Sequence, residues 1–252
     1  MVRLVAFPGI AAAVPGLAHG VSERAGGTSR GPYASMNLGA SCGDDPGAVL
    51  ANGRLLAETL GAPVRFPRQV HGCTVLSLDA APAGRLVEGD AVTTATRGAA
   101  VGVLGADCPG VLLVDPARRA LALVHSGWRG TLAGIVPRAV EALSARHGSR
   151  REDILAGIGP GISARAYEVG PEVEQAFRAG FPGAADCLSL GRLGRWHLDL
   201  SLAIRLQLLR SGIPPASIES TEACTFSEPS RFFSHRRDGP LTGRHALVAM
   251  WT

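Results

Sequence analysis

Residues 99–148 read AAVGVLGADCPGVLLVDPARRALALVHSGWRGTLAGIVPRAVEALSARHG. Three apolar runs stand in this stretch: Ala99–Leu104, Val111–Val114 and Ala120–Val124. Each is short and bounded by polar or turn-forming residues, which fits strands better than helices. Ala120–Val124 is apolar throughout, as expected for a strand covered on both faces. It runs directly into His125-Ser-Gly-Trp-Arg-Gly130, and Thr131–Arg146 then reads as a helix closed by His147-Gly148.

The pattern loosens in both directions. Upstream, Pro46–Leu60 has apolar residues at helical spacing (Val49, Leu50, Leu55, Leu56, Leu60), opens on Asp44-Asp45-Pro46 and stops at Gly61. Residues 19–45, rich in Gly, Ser and Pro, read as a long loop of the kind that carries function. Val70–Leu78, broken by His71-Gly72, and Ala91–Thr94 read as strands. Downstream, Ile154–Ile158 and Ala246–Trp251 are strand-like, and Pro171–Ala179 and Leu200–Ser211 helix-like. There is no regular strand–helix alternation, no repeat and no shift of composition that would mark a linker. The expected class is α+β, with helices and mixed sheets in layers, as a single domain over residues 1–252.

Composition removes several functions. All 25 Lys+Arg residues of this 252-residue chain are arginine. Schiff-base, pyridoxal-phosphate and Walker A chemistry, which need a lysine, are therefore excluded. Aromatic residues are 5%, too few for a base-stacking nucleic-acid surface, and the net charge of +4 is scattered rather than gathered in a basic run. The five cysteines (Cys42, Cys73, Cys108, Cys187, Cys224) are odd in number and form no Cys-x-x-Cys pair, so reduced thiols are expected. Met1-Val2-Arg3 and the apolar residues to Ala18 have the outline of a signal peptide. Pro8-Gly9 and Pro15-Gly16 would break the helix it needs. No uncharged apolar run reaches the roughly 18 residues of a membrane span. Neither a nucleic-acid nor a membrane partner is expected, and the expected location is the cytoplasm.

Three residues with chemistry sit at the ends of strand-like runs beside glycine or proline: His71, Cys108 and His125. Two imidazoles and one thiolate make a three-ligand zinc site with an open fourth position. The same trio could instead be a cysteine nucleophile with a histidine base. Asp90 and Asp107 could orient ligand imidazoles or cap turns. The glycine-rich start of the helix after His125, with Arg129, is suited to an anion but equally to an ordinary strand–turn–helix. Arg236-Arg237-Asp238-Gly239 could be an anion clamp or a solvated turn.

Taken together, a set of motifs resembles the YfiH family of laccase-domain proteins, also described as purine nucleoside phosphorylases and linked to peptidoglycan editing. They are His19-Gly-Val-Ser-x-Arg24, Gly31-Pro-Tyr-Ala-Ser-Met-Asn-Leu-Gly39, Arg68-Gln-Val-His-Gly72, Ala106-Asp-Cys-Pro109, His125-Ser-Gly-Trp-Arg-Gly130, Tyr167-Glu-Val-Gly170, Phe232-Phe-Ser-x-Arg-Arg-Asp-Gly239 and Thr242-Gly-Arg244. The resemblance implies a single mixed α/β domain related to cytotoxic-necrotizing-factor-like deamidases. It implies His71, Cys108 and His125 as zinc ligands and catalytic residues, with Arg24, Asn37 and Arg129 toward the substrate. The implied reaction is phosphorolysis of purine nucleosides (adenosine, inosine, methylthioadenosine), with phosphate as co-substrate and adenosine deamination as a related activity. The chain departs from the family pattern at Gly53, Gly161, Ala166, Ile204, Ser227 and His235, none of them in the trio.

Two other chemistries compete. A polyphenol oxidase needs several coppers and many histidines, whereas this chain has seven histidines and no His-x-His pair. One mixed His/Cys site suits redox-inert Zn²⁺ better than copper. A metal-free Cys–His amidohydrolase acting on peptidoglycan precursors would use Cys108 as nucleophile and His125 as base.

Overall fold

The structure is a computed structural model that describes residues 2–79 and 87–252. The first half runs β1 (Leu4–Val5), α1 (Pro8–Ala13), β2 (Leu17–Ser22), α2 (Pro46–Leu60), β3 (Val64–Arg65), β4 (Val75–Ser77), β5 (Ala91–Thr94), β6 (Ala100–Gly105), β7 (Gly110–Asp115) and β8 (Ala120–His125). Then come α3 (Trp128–Leu132), α4 (Ile135–His147), β9 (Leu155–Ile158), β10 (Glu168–Val169), α5 (Pro171–Gly180), α6 (Ala184–Cys187), β11 (Leu188–Leu190) and β12 (Trp196–Leu198). The chain ends with α7 (Leu200–Arg210), β13 (Ile218–Ser220), α8 (His235–Asp238) and β14 (His245–Trp251).

Two mixed sheets stack face to face. One has the order β1-β2-β14-β6-β3, the other β13-β9-β7-β8-β5-β4, and β10-β12-β11 forms a small third sheet. The two-residue period of a strand sorts the core into layers. On the six-stranded sheet, Val92, Leu112, Val114, Leu121 and Leu123 face the other sheet and meet Val101, Val103, Leu247 and Ala249. The alternate residues Ala91, Val111, Leu113, Ala122 and Val124 face α4 and α7, through Val136, Val140, Leu143, Ala203 and Ile204. The outer face of the five-stranded sheet is covered by Leu56 and Leu60 of α2. The order of layers is helix, sheet, sheet, helix, an α+β arrangement with mixed sheets.

Local chemistry sets the boundaries. Asp45 caps α2 by accepting from Gly47 N, Pro46 supplies the fixed φ of the first turn, and Gly61 ends the helix at φ 85°. The single helix expected over Thr131–Arg146 is two, because Gly134 at φ 78° breaks the ladder between α3 and α4. Of Val70–Leu78 only Val75–Ser77 is strand. The expected loop 19–45 begins inside β2, which the His19-Gly20 pair disguises; β2 pairs with β14 from Leu17↔Trp251 to Val21↔Leu247. Pro8 does not prevent a helix but opens a short one, α1. Among the described residues, no helix is long and apolar enough to cross a membrane.

One connection places the site. β6 belongs to the first sheet and β7 to the second, so residues 106–109 step from sheet to sheet. The β7–β8 hairpin pairs Gly110 with His125. That register brings the step between sheets and the end of β8 to the same edge of the molecule.

Candidate metal centre and active-site cavity

Cys108 sits on the step between the sheets and His125 is the last residue of β8. His71 comes from the loop between β3 and β4. Their donor atoms all lie within 4.8 Å of one another, and the two imidazoles meet edge to face at 4.8 Å between centroids. His125 is buried, Cys108 half-buried and His71 exposed, so the cluster opens on one side. Among the described residues it is the one His/Cys/Asp/Glu group with metal-holding geometry.

Asp90 organises two of the three donors. It is wholly buried just before β5. Its Oδ1 accepts from His125 Nδ1 and from the His71 backbone N–H, both at 2.9 Å. Its Oδ2 accepts from Gly72 N at 2.7 Å and Val70 N at 3.2 Å. With Nδ1 committed to the carboxylate, His125 turns Nε2 toward the cluster, the arrangement that orients ligand histidines. Gln69 fastens the same loop to β6: its amide donates to Leu104 O (2.8 Å) and accepts from Leu104 N (2.7 Å). Backbone strain marks the place as well. Among the described residues, two of the three non-glycine residues at positive φ are His71 (59°) and Asp107 (92°). Gly127 completes the cradle, since a Cβ there would lie 2.9 Å from Cys108 Sγ and 3.1 Å from His71 Cδ2.

The charges are tuned together. Burial would raise the Cys108 thiol, but hydrogen bonds from His125 and then His71 outweigh it and bring it down to about 6. Burial would lower His125, but its bonds to Asp90 and Cys108 raise it to about 9. Asp90 lies below the usual carboxylate range; burial opposes this, and the His125 bond and the Gly72 N–H outweigh burial. Without metal the site therefore pairs a Cys108 thiolate with a protonated His125, whose proton zinc would displace on binding. Soft sulfur with two nitrogens is a donor set suited to Zn²⁺. A four-copper centre has no comparable ligand set among the described residues.

The cluster forms one wall of a cavity of about 730 Å³. Leu38, Phe66, Leu104, Ile162 and Leu200 contribute apolar lining to it, and Tyr167, Arg236 and Arg244 polar lining. Burial, followed by the neighbouring Cys108 charge, raises the Tyr167 hydroxyl well above its ordinary value, so it keeps its proton.

Arg24, Asn37 and Arg129 do not line this cavity. Arg24 reaches Ala34 O (2.7 Å) and Asp238 (3.7 Å), bracing the turn after α8. Asn37 is wholly buried; its Oδ1 accepts from Gly39 N (2.9 Å) and Arg244 N (2.8 Å). Arg129 is exposed and lies 4.4 Å over the Trp128 ring. Asp107 does not orient an imidazole. It accepts from Thr225 Oγ1 (2.7 Å) and Arg236 N (2.6 Å), tying the cysteine loop to α8. Gln69, Tyr167, Gly127 and Arg244 join the site without a chemical signal of their own in the sequence. What points to them is membership of the same Gly-flanked motifs as the trio and the late arginines.

Known proteins are similar to this chain in sequence and in fold. The family model described as "Multi-copper polyphenol oxidoreductase laccase" matches residues 18–252. The chain belongs to that family, the YfiH or laccase-domain family. A Streptomyces coelicolor protein named as a purine nucleoside phosphorylase is 42% identical over 237 residues, 92% of this chain and 95% of its own. A Xylella fastidiosa protein of the same name is 40% identical over 233 residues, 88% of this chain and 87% of its own. Among solved structures, YlmD from Geobacillus stearothermophilus is similar at TM-score 0.87 and 35% identity, covering 94% of this chain and 92% of its own. Neisseria meningitidis NMB0706 is similar at TM-score 0.88 and 34% identity, covering 99% and 98%.

Proposed function

We propose that the protein is a zinc-dependent purine nucleoside phosphorylase acting on adenosine, inosine or methylthioadenosine, with adenosine deamination as a second activity of the same site. The observation that carries this reading is the convergence of His71, Cys108 and His125 on the wall of a nucleoside-sized cavity, in a chain whose relatives bear that enzyme name. The cytoplasm, where reduced cysteines and free nucleosides occur together, is the proposed location; the five cysteines are free in the fold.

In phosphorolysis a phosphate oxygen forms a bond to the ribose anomeric carbon. The bond from that carbon to the purine nitrogen breaks, its electron pair stays on the base, and a proton neutralises it. The products are ribose 1-phosphate and free purine. Zinc held by His71, Cys108 and His125 would supply Lewis acidity toward an atom of the bound substrate. Asp90 keeps the His125 ring in one orientation and one tautomer. The apolar lining of the cavity receives the purine and excludes water from it. Tyr167, which keeps its proton, offers an O–H donor to the departing base.

One observation favours a second reading. Asp90, His125 and Cys108 are linked in series, with the thiol lowered to about 6, as in a cysteine nucleophile with an oriented base. Such a Cys–His amidohydrolase would suit peptidoglycan editing, with His71 only helping to lower the thiol. Product analysis separates the two. Zinc-loaded protein given inosine or adenosine should form ribose 1-phosphate only when phosphate is present. Free ribose alone, ammonia without base release, or alkylation of Cys108 that zinc does not slow would each count against phosphorolysis.

A further inference from the structure

Arg236, in α8, and Arg244, just before β14, both line the cavity, and both are held in a definite pose. Arg244 Nη1 donates to Thr242 O (2.8 Å) and Gly243 O (2.9 Å). Its stem lies on Gly39, where a Cβ would come within 2.7 Å of Arg244 Cγ. Its backbone N–H is fixed by Asn37 Oδ1. Arg236 Nη1 donates to Glu168 O (2.7 Å), its backbone N–H to Asp107 Oδ2, and its guanidinium lies 5.0 Å over the Tyr167 ring.

The backbone carbonyls hold one Nη of each guanidinium and leave the Nε and Nη2 donors for something else. Among the described residues neither arginine has a carboxylate within ion-pair distance. The carboxylates near the cavity are already engaged. Asp107 is taken by Thr225 and Arg236 N, and Glu88 is paired with Arg68. Two uncompensated, preoriented guanidinium forks beside a cavity suit a tetrahedral oxyanion.

We propose that Arg236 and Arg244 form an oxyanion subsite of the cavity that binds the phosphoryl group of the substrate pair. This rests on the phosphorolytic reading for its choice of phosphate, but the subsite itself is an anion site whatever the reaction. It also gives Asn37 and Arg24 a purpose as positioning residues. Asn37 fixes the Arg244 backbone, and Arg24 braces Asp238 at the end of the helix that carries Arg236.

The test is calorimetric binding of inorganic phosphate to the zinc-loaded protein, alongside steady-state kinetics with inosine. Arg244→Gln and Arg236→Gln should each weaken phosphate binding by about 10- to 100-fold, the usual loss for a charge-assisted bond. Each should raise KM for phosphate while KM for inosine and the zinc content hold. Arg244→Lys, which keeps the charge and loses the fork, should fall between. If Arg244→Gln does not fold, Arg236→Gln and Arg244→Lys carry the test. Unchanged phosphate affinity in the folded variants overturns the proposal, and so does a wild type that binds neither phosphate nor a nucleoside 5′-monophosphate. A nucleoside monophosphate that binds through the two arginines where free phosphate does not would support the subsite with the nucleotide as the phosphoryl source. Arginine-dependent phosphate binding without ribose 1-phosphate formation would retain the subsite and remove the phosphorolytic reading. Phosphorolysis with an unaltered phosphate KM in both variants would do the reverse.

Discussion

Asp90→Asn tests how the trio is assembled. Each carboxylate oxygen of Asp90 accepts two bonds, Oδ1 from His125 and His71 N, Oδ2 from Gly72 N and Val70 N. An amide NH₂ cannot accept, so whichever way the substituted side chain turns, two donors are stranded in a buried site. Hydrogen bonds to a charged group are worth about 1.5–3 kcal/mol each, so the loss is on the order of 3–6 kcal/mol, shared between the 70–72 loop and the His125 ring. Because that loop presents His71 and the ring is His125, part of the loss should appear in metal binding and the rest in the stability of the metal-free fold. Orienting partners of this kind typically change metal affinity by about 10- to 100-fold. Zinc affinity measured by competition with a chromophoric chelator should fall by that amount, with a lower melting temperature for the metal-free protein. A variant that binds zinc as tightly as wild type would show that the Asp90 network does not set the site.

Gly127→Ala should selectively disturb the metal. Its φ of −74° is acceptable to alanine, yet the new Cβ would press on Cys108 Sγ and His71 Cδ2. Zinc content should drop with little change in the circular dichroism spectrum, and full zinc occupancy would refute the crowding argument. His245 gives a pH dependence. Burial, then the charge of Arg244, lowers it from 6.5 to about 3, and its buried Nδ1 has no partner among the described residues. A histidine lowered in the folded state is protonated first in the unfolded one. Stability is therefore intact above pH 6.5 and should be lost as pH falls from there toward about 3, by up to about 1.4 kcal/mol per pH unit. Denaturant titrations of the metal-stripped protein should show this slope, and His245→Leu should flatten it. An identical acid profile in both would contradict the assignment.

The parts of the fold visible in the sequence are those decided by local chemistry. Val111–Val114 and Ala120–Val124 are apolar throughout because both faces of the central sheet are covered, and α2 is marked by its Asp-Pro start and Gly61. Gly134 divides a helix whose apolar spacing continues across the break. β2 hides behind His19 and Gly20, whose burial comes from pairing with β14 at the far end of the chain. The trio can be picked out because each member ends an apolar run beside glycine or proline. Its convergence cannot, since that depends on the Gly110↔His125 register and a step between two sheets. The same holds for the joint from Asn37 to Arg244. Nothing near either residue in sequence announces it, so Asn37 reads there as a substrate contact, while in the fold it supports one wall of the cavity.

The central claim, that His71, Cys108 and His125 together hold one zinc ion, is tested most directly by native mass spectrometry with elemental analysis of the purified protein. Wild type should carry close to one zinc per chain, and His71→Ala, Cys108→Ser and His125→Ala should each lose it while remaining folded. Folded wild type without any transition metal, or variants that retain zinc at the wild-type level, would contradict the account.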